Sequence, residues 1–285
     1  MESVRYDINK YSPRQMVVLP LVLLLLAGIV LGYTMLATGL PLKPGIDFAG
    51  GTAVTAFTSD SRETIEATFA GYPLLSVGEG IGGGKYIQFG PMDDARYQSL
   101  VALINEKYPD AKVDQVGETF GKTLQGQAFL ALIFSFVGMS IVVLIAFRNL
   151  VPAGAVVLAA FADIAVTAAI MQVIGIPLSL GTTAALLMLI GYSVDSDILL
   201  TTRLLKRKGK LDEKLAGAFR TGIIMTTTTL AAIAAMWVVS TAGQVQIISE
   251  IASVLLIGLF VDLMNTWMLN AGILKGYILK GGGKK

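Results

Sequence analysis

Residues 151–202 read VPAGAVVLAAFADIAVTAAIMQVIGIPLSLGTTAALLMLIGYSVDSDILLTT. Two apolar runs, Val151 to Val173 and Leu178 to Thr202, are separated by the turn residues Gly175 and Pro177. Each run reaches the roughly 20 apolar residues that a bilayer-spanning helix needs. The whole stretch lacks Lys and Arg, and its only charges are Asp163, Asp195 and Asp197. This reads as a pair of membrane helices carrying acids.

Working outward, four more segments qualify as spans: Met16 to Ala37, Gln127 to Phe147, Leu215 to Ser240, and Val245 to Leu274. The first follows Arg5, Lys10 and Arg14, as a signal peptide would. Its apolar run exceeds the roughly 7–15 residues of a signal h-region, and no small-x-small site follows, so it reads as a retained anchor. The composition agrees: 54% of the 285 residues are hydrophobic and 15% charged, against about 25% charged in soluble domains. Mean hydropathy is +0.69. With no Cys there is no disulfide or thiolate chemistry. With no His, the usual proton shuttle and metal ligand are missing. Any proton relay must use Asp, Glu or water, and no metal site is expected.

Basic residues set the orientation. They lie before the first span, at Arg148, between the fourth and fifth spans (Arg203, Lys206, Arg207, Lys208, Lys210 and Lys214), and after the sixth (Lys275, Lys280, Lys284 and Lys285). In a six-span chain all of these fall on one side. That side is expected to be cytoplasmic, with residues 1–15 and 275–285 as the cytoplasmic ends. Residues 16–37 form the first span, 38–126 an extracytoplasmic domain, and 127–274 spans two to six.

The domain over 38–126 is acidic and mixed in pattern. Ile46 to Phe57 reads as a strand, Ser61 to Ala70 as a helix capped by Ser61, and Leu74 to Val77 and Lys85 to Phe89 as two strands joined at Gly78 to Gly84. Asp93 or Asp94 caps a helix to Tyr108, and Ala111 to Val116 is a last strand. The order β-α-β-β-α-β is ferredoxin-like, a fold that decides no function by itself. The Gly78 to Gly84 run lacks the Gly-Lys-Ser/Thr ending of a phosphate loop, so nucleotide binding is not expected.

Four stretches resemble the SecF branch of the SecD/SecF protein-export family. They are Gly45-Ile46-Asp47-Phe48-Ala49-Gly50-Gly51-Thr52 after the first span, Val116 to Leu124 leading into the second, Ala162-Asp163 in the third, and Gly191-Tyr192-Ser193-Val194-Asp195 in the fourth. Relatives carry their fourth-span acid one residue later than Asp195, and a His before the Asp163 position. The resemblance implies half of a resistance-nodulation-division-type transporter with an α+β extracytoplasmic domain. It implies a SecD-like partner in a heterodimer, contact with the Sec translocation channel and a translocating unfolded polypeptide, and use of the proton-motive force. No enzyme activity, cofactor or nucleic acid is implied.

An ionised side chain at a helix centre costs about 2.5–3.5 kcal/mol on insertion scales, so acids kept there are candidates for function. Asp163, Asp195, Asp197 and Asp262 qualify, and Arg220 is the base at membrane depth. Asp195 and Asp197 project about 200° apart on a helix, so only one can face a given partner. In one reading, one of them exchanges a proton under the influence of Arg220. In the other, the acids simply bond facing helices or a partner subunit, which suits Asp163 and Asp262. Glu250 is expected in solvent near the outer surface. Gly217, Gly222 and Thr226 to Thr229 read as a packing face. Gly45, Asp47, Phe48, Gly50 and Gly51 either turn the chain into the first strand, with Asp47 capping, or form a hinge. Beside the export factor stand two alternatives: a proton-coupled transporter of a small molecule or lipid, and a passive scaffold for the channel.

Overall fold

The computed structural model describes residues 10–79, 84–243 and 245–281. Among them, six helices are long and apolar enough to cross a membrane. α1 (Pro13–Thr38) begins at a reciprocal cap, in which Ser12 Oγ accepts from the Gln15 N–H and Gln15 Oε1 from the Ser12 N–H. It ends at Gly39, whose φ of 79° returns its N–H to the Met35 carbonyl. α5 (Glu118–Phe147) and α6 (Leu150–Ile174) are joined by Arg148 and Asn149 alone, with Arg148 left-handed at φ 53°. A turn over 175–179 leads to α7 (Leu180–Lys206), followed by α8 (Leu211–Ala242). The sixth span is a continuous rod of α9 (Gln246–Met264), a π-helical segment (Asn265–Asn270) and α10 (Ala271–Leu279).

α6, α7 and α9 pack against one another at the centre, with α1, α5 and α8 around them. Met171, Leu186, Leu189, Val254 and Leu255 fill the main core. Glycine permits the closest approaches. A Cβ at Gly258 would stand 2.6 Å from Leu189 Cδ2, and one at Gly222 would overlap the Trp267 ring. The packing role expected of Gly222 is therefore met. Thr227, Thr228 and Thr229 instead give their hydroxyls to carbonyls of their own helix.

The domain between α1 and α5 comprises α2 (Ile46–Ala49), β1 (Gly51–Phe57), α3 (Arg62–Thr68), β2 (Leu74–Glu79), β3 (Gly84–Phe89), α4 (Asp94–Lys107) and β4 (Lys112–Val116). The sheet order is β2-β3-β1-β4, with every neighbouring pair antiparallel, which is the ferredoxin-like arrangement. Ser61 Oγ and Asp93 Oδ1 accept from the N–H groups of Thr64 and Arg96, capping the two longer helices as expected. Alternate residues Val54, Ala56, Ile87 and Phe89 face α3 and α4, and they pack on Ile65, Phe69, Leu100 and Ile104.

Two details differ from the sequence expectation. The residues Ile46–Ala49 form a helical turn, and the strand starts only at Gly51. Gly50 at φ 78° and Gly51 at φ 142° redirect the chain there, a path closed to residues with a Cβ. The second span's helix begins at Glu118, well before Gln127. The turn residues Gly80 to Gly83, and the terminal charges Arg5, Lys284 and Lys285, lie outside the described residues.

The first two family-like stretches meet in space. A Cβ at Gly50 would lie 2.7 Å from Glu118 Cα, and one at Gly121 would lie 2.8 Å from the Phe48 carbonyl oxygen. Gly121→Ala should therefore push α5 away from α2 and destabilise the protein by about 1–3 kcal/mol, the usual cost of overpacking. Gly117→Ala, which meets open space at φ −68°, should stay within about 0.5 kcal/mol. Thermal unfolding in detergent compares the two.

Candidate functional site

The centre of the bundle is polar. Asp163 on α6, Asp197 on α7 and Asp262 on α9 are 0%, 0% and 1% exposed. Neutral donors hold each one, from other helices for Asp163 and Asp197 and from its own span for Asp262. Asp163 accepts from Ser193 Oγ on α7 at 2.6 Å and from Asn265 Nδ2 at 2.7 Å. Asp197 accepts from Asn270 Nδ2 at 2.7 Å, and Asp262 from Thr266 Oγ1 at 3.1 Å. The π-helical segment thus sends one amide to each neighbour, Asn265 to α6 and Asn270 to α7. Segments of this kind often mark functional sites.

The network is not saturated. Asp197 Oδ2, Asn265 Oδ1, Asn270 Oδ1, Thr167 Oγ1 and Thr201 Oγ1 are buried without a hydrogen-bond partner among the described residues. Burying such an atom unpaired costs about 1–3 kcal/mol. Three ionised carboxylates among hydroxyl and amide donors would be a costly state in low dielectric. The arrangement is chemically suited to holding, sharing and passing protons.

The remaining sequence candidates are placed differently. Asp195, Gly191 and Tyr192 share the outward face of α7, and Arg220 is exposed on α8. Asp195 and Asp197 do point apart, and Asp197 is the inward one. Ser193, singled out only as part of a motif, is a direct partner of Asp163. Asn265, Thr266 and Asn270 were not singled out, although three polar residues close after Asp262 in an apolar span were a usable signal. The Gly217 carbonyl accepts from Arg203 Nη1 at 2.6 Å.

A second cluster stands at the other end of α7. Asp47 Oδ2 accepts from the Leu180 N–H at 2.9 Å, so a carboxylate of the 45–52 stretch caps the fourth span. Ser179, the helix N-cap, gives its hydroxyl to Glu250 Oε2 at 2.8 Å. Glu250 is therefore half-buried and bonded, where solvent exposure was expected. The Gly45 N–H donates to the Leu178 carbonyl and the Leu178 N–H to the Lys43 carbonyl, both at 2.8 Å. Asp47 does not cap its own turn; it fastens the ferredoxin-like domain to α7.

A ferredoxin-like domain inserted after the first of six spans, with a carboxyl network buried among the third, fourth and sixth, defines a polytopic α-helical membrane protein with one α+β domain outside its helix bundle. The family model described as Protein export membrane protein SecD/SecF, C-terminal, matches residues 96–280. "Protein-export membrane protein SecF" of Methanolacinia petrolearia is 60% identical, over 99% of this chain and 100% of its own length. The protein of the same description from Pyrococcus furiosus is 40% identical, over 96% and 94%. The crystal structure of SecDF, a translocon-associated membrane protein from Thermus thermophilus, superposes with a TM-score of 0.73 at 24% identity. That match covers 93% of this chain and 38% of the SecDF chain. The chain belongs to the SecD/SecF family of protein-export membrane proteins, on its SecF side.

Two variants probe the clusters. Asn270→Leu strips Asp197 of its amide donor and should destabilise by about 1–3 kcal/mol, read as a lower melting temperature in detergent, with Asp197→Asn in the same background restoring part of the loss. Asp47→Ala should cost about 1 kcal/mol, as for a lost helix cap, and should speed amide exchange at Leu180 while leaving the domain's sheet protected.

Proposed function

We propose that this chain is an accessory subunit of the Sec protein-export machinery, and that proton movement through its buried carboxyls is coupled to movement of its extracytoplasmic domain. The observation that carries this reading is the unsaturated network on Asp163, Asp197 and Asp262. Protons entering or leaving Asp163 must re-pair Ser193 on α7 or Asn265 on the sixth span, each of which reaches it from another helix. Re-pairing therefore shifts α6, α7 and the sixth span relative to one another. α7 carries Ser193 and Asp197, and its far end is tied to the extracytoplasmic domain through Asp47. A stiff helix passes a displacement from one end to the other.

The basic residues at the helix connections support a cytoplasmic position for both chain ends. The extracytoplasmic domain then stands where an exported polypeptide emerges, and it touches that chain. Asp195, Arg220, Thr227 and Thr228 are exposed at membrane depth. A bare charge facing lipid there costs about 2.5–3.5 kcal/mol on insertion scales. A SecD-like subunit that covers this face and pairs Asp195 and Arg220 removes that cost, so the working unit is a heterodimer docked on the Sec channel.

Replacing Asp163, Asp197 and Asp262 together with Asn keeps the side-chain shape and mimics the neutral acid while removing the exchangeable protons. Inverted vesicles carrying the variant with its partner should keep the complex intact, as read by co-purification, and lose the export increment that depends on the proton gradient. An intact complex with an undiminished increment would mark the chain as a scaffold. Asp195→Asn should weaken co-purification more than it weakens the fold.

A further inference from the structure

At the basic end of the bundle a cavity of about 970 Å³ opens between α1, α10 and the start of α6. Its walls are apolar, formed by Val17, Val18, Leu21, Val151 and Ile273. Among the described residues, its charged lining is Arg14 and Lys280, both cations. Arg14 sits in the first turn of α1 and Lys280 follows the last turn of α10. The two cations therefore stand at one level, where the spans leave the hydrocarbon, and both are exposed. The hydroxyl-bearing residues Ser12 and Tyr277 line the same cavity. Glycine shapes its α1–α10 side. A Cβ at Gly272 would come within 2.7 Å of Val17 Cγ2, and one at Gly276 would stand 3.5 Å from Pro13 Cβ.

We propose that this cavity binds one anionic phospholipid from the leaflet on the basic side. Its phosphate lies between Arg14 and Lys280, and an acyl chain lies along Val17, Val18 and Leu21. The occupant follows from the pairing of two positive groups at headgroup level with an apolar slot running into the hydrocarbon zone. Basic pockets between spans on that face are suited to acidic headgroups. A soluble phosphate would satisfy the cations and leave the slot wet. A zwitterionic lipid would fill the slot and bring no net charge to the cations. Each cation near the surface contributes about 1 kcal/mol toward an acidic lipid, so the pair favours it by about 30-fold. This site is separate from the carboxyl network and does not depend on the export reading.

The test uses the full chain, delipidated in mild detergent and examined by native mass spectrometry with phosphatidylglycerol and phosphatidylcholine of matched chains. One phosphatidylglycerol should remain bound, preferred by about 30-fold. Arg14→Ala with Lys280→Ala should abolish the preference, and Arg207→Ala with Lys208→Ala, which touch other surface, should not. Gly276→Leu fills the slot, so it should expel the lipid with both cations in place, while circular dichroism and melting report an intact fold. Equal retention of the two lipids, a preference that survives the double variant, or displacement by millimolar inorganic phosphate would each overturn the proposal. Release of the lipid when a SecD-like subunit assembles would also overturn it, because the slot would then belong to a partner helix.

Discussion

Hydrocarbon offers no hydrogen bonds, so every polar group placed inside the bundle must find its partner in the protein. That constraint explains which helices are central. Asp163, Asp197 and Asp262 each need donors, and the donors come from α7 and the π-helical segment. The helices that carry them are therefore drawn together, and α1, α5 and α8 take outer positions, with most of their surface left outward. Leu186, Leu189, Val254 and Leu255 pack the same helices by van der Waals contact, with Gly258 allowing the approach. The unpaired oxygens on Asp197, Asn265 and Asn270 work against stability. Apolar packing at this junction would be cheaper than a half-satisfied polar network. The carboxyls are thus poorly explained as cement, and the rest of the bundle carries the cost of keeping them.

α7 links the two clusters. Its N-terminal end is held by Ser179, by Glu250 from α9 and by Asp47 from the ferredoxin-like domain. Its inward face presents Ser193 to α6 and Asp197 to the sixth span. At the basic end, Arg203 bonds the Gly217 carbonyl of α8. Continuous helical hydrogen bonding makes it a stiff connector, so a change at Asp197 cannot be absorbed locally as it would be in a loop. The 45–52 stretch contributes in two ways. Gly50 and Gly51 bring the chain against β3 and α5, and Asp47 ties that junction to α7. Turn and attachment point, held apart in the sequence, are one piece of structure.

Much of this was legible in the sequence because it rests on one-dimensional signals. Bilayer thickness fixes the length of an apolar run, and the alternation of strands and capped helices fixes the ferredoxin-like order. What escaped depends on register and on distance along the chain. Ile46 to Phe57 has strand-like composition, but two glycines at positive φ cut it at Gly50. Helical geometry separates Asp195 from Asp197 without saying which faces inward; packing against Asn270 decides it. Asp163 and Asp262 looked like separate bonding acids because they lie about a hundred residues apart. Asn265 and Asn270 were invisible to hydropathy, because Trp267, Met268 and Leu269 between them keep the span apolar. A π-helical turn also lies outside the 3.6-residue period used to judge helix faces.

On the proposed proton route, the free positions in the network assign different parts to Asp163 and Asp197. Both oxygens of Asp163 accept bonds, one from Asn265 and one from Ser193. A proton placed on either oxygen turns an acceptor into a donor and forces that neighbour to yield. Ser193 can answer by rotating its hydroxyl, and Asn265 by presenting its unbonded Oδ1. Asp197 has one oxygen bonded to Asn270 and one free, so it can take a proton at Oδ2 without displacing a donor. Asp197 is therefore the acid that loads at least structural cost, and Asp163 the acid whose loading rearranges the contact between α6 and α7. Movement follows when the proton passes from the first to the second, and α7, which bears Asp197 itself and the Ser193 bonded to Asp163, is the helix placed to carry it toward the ferredoxin-like domain.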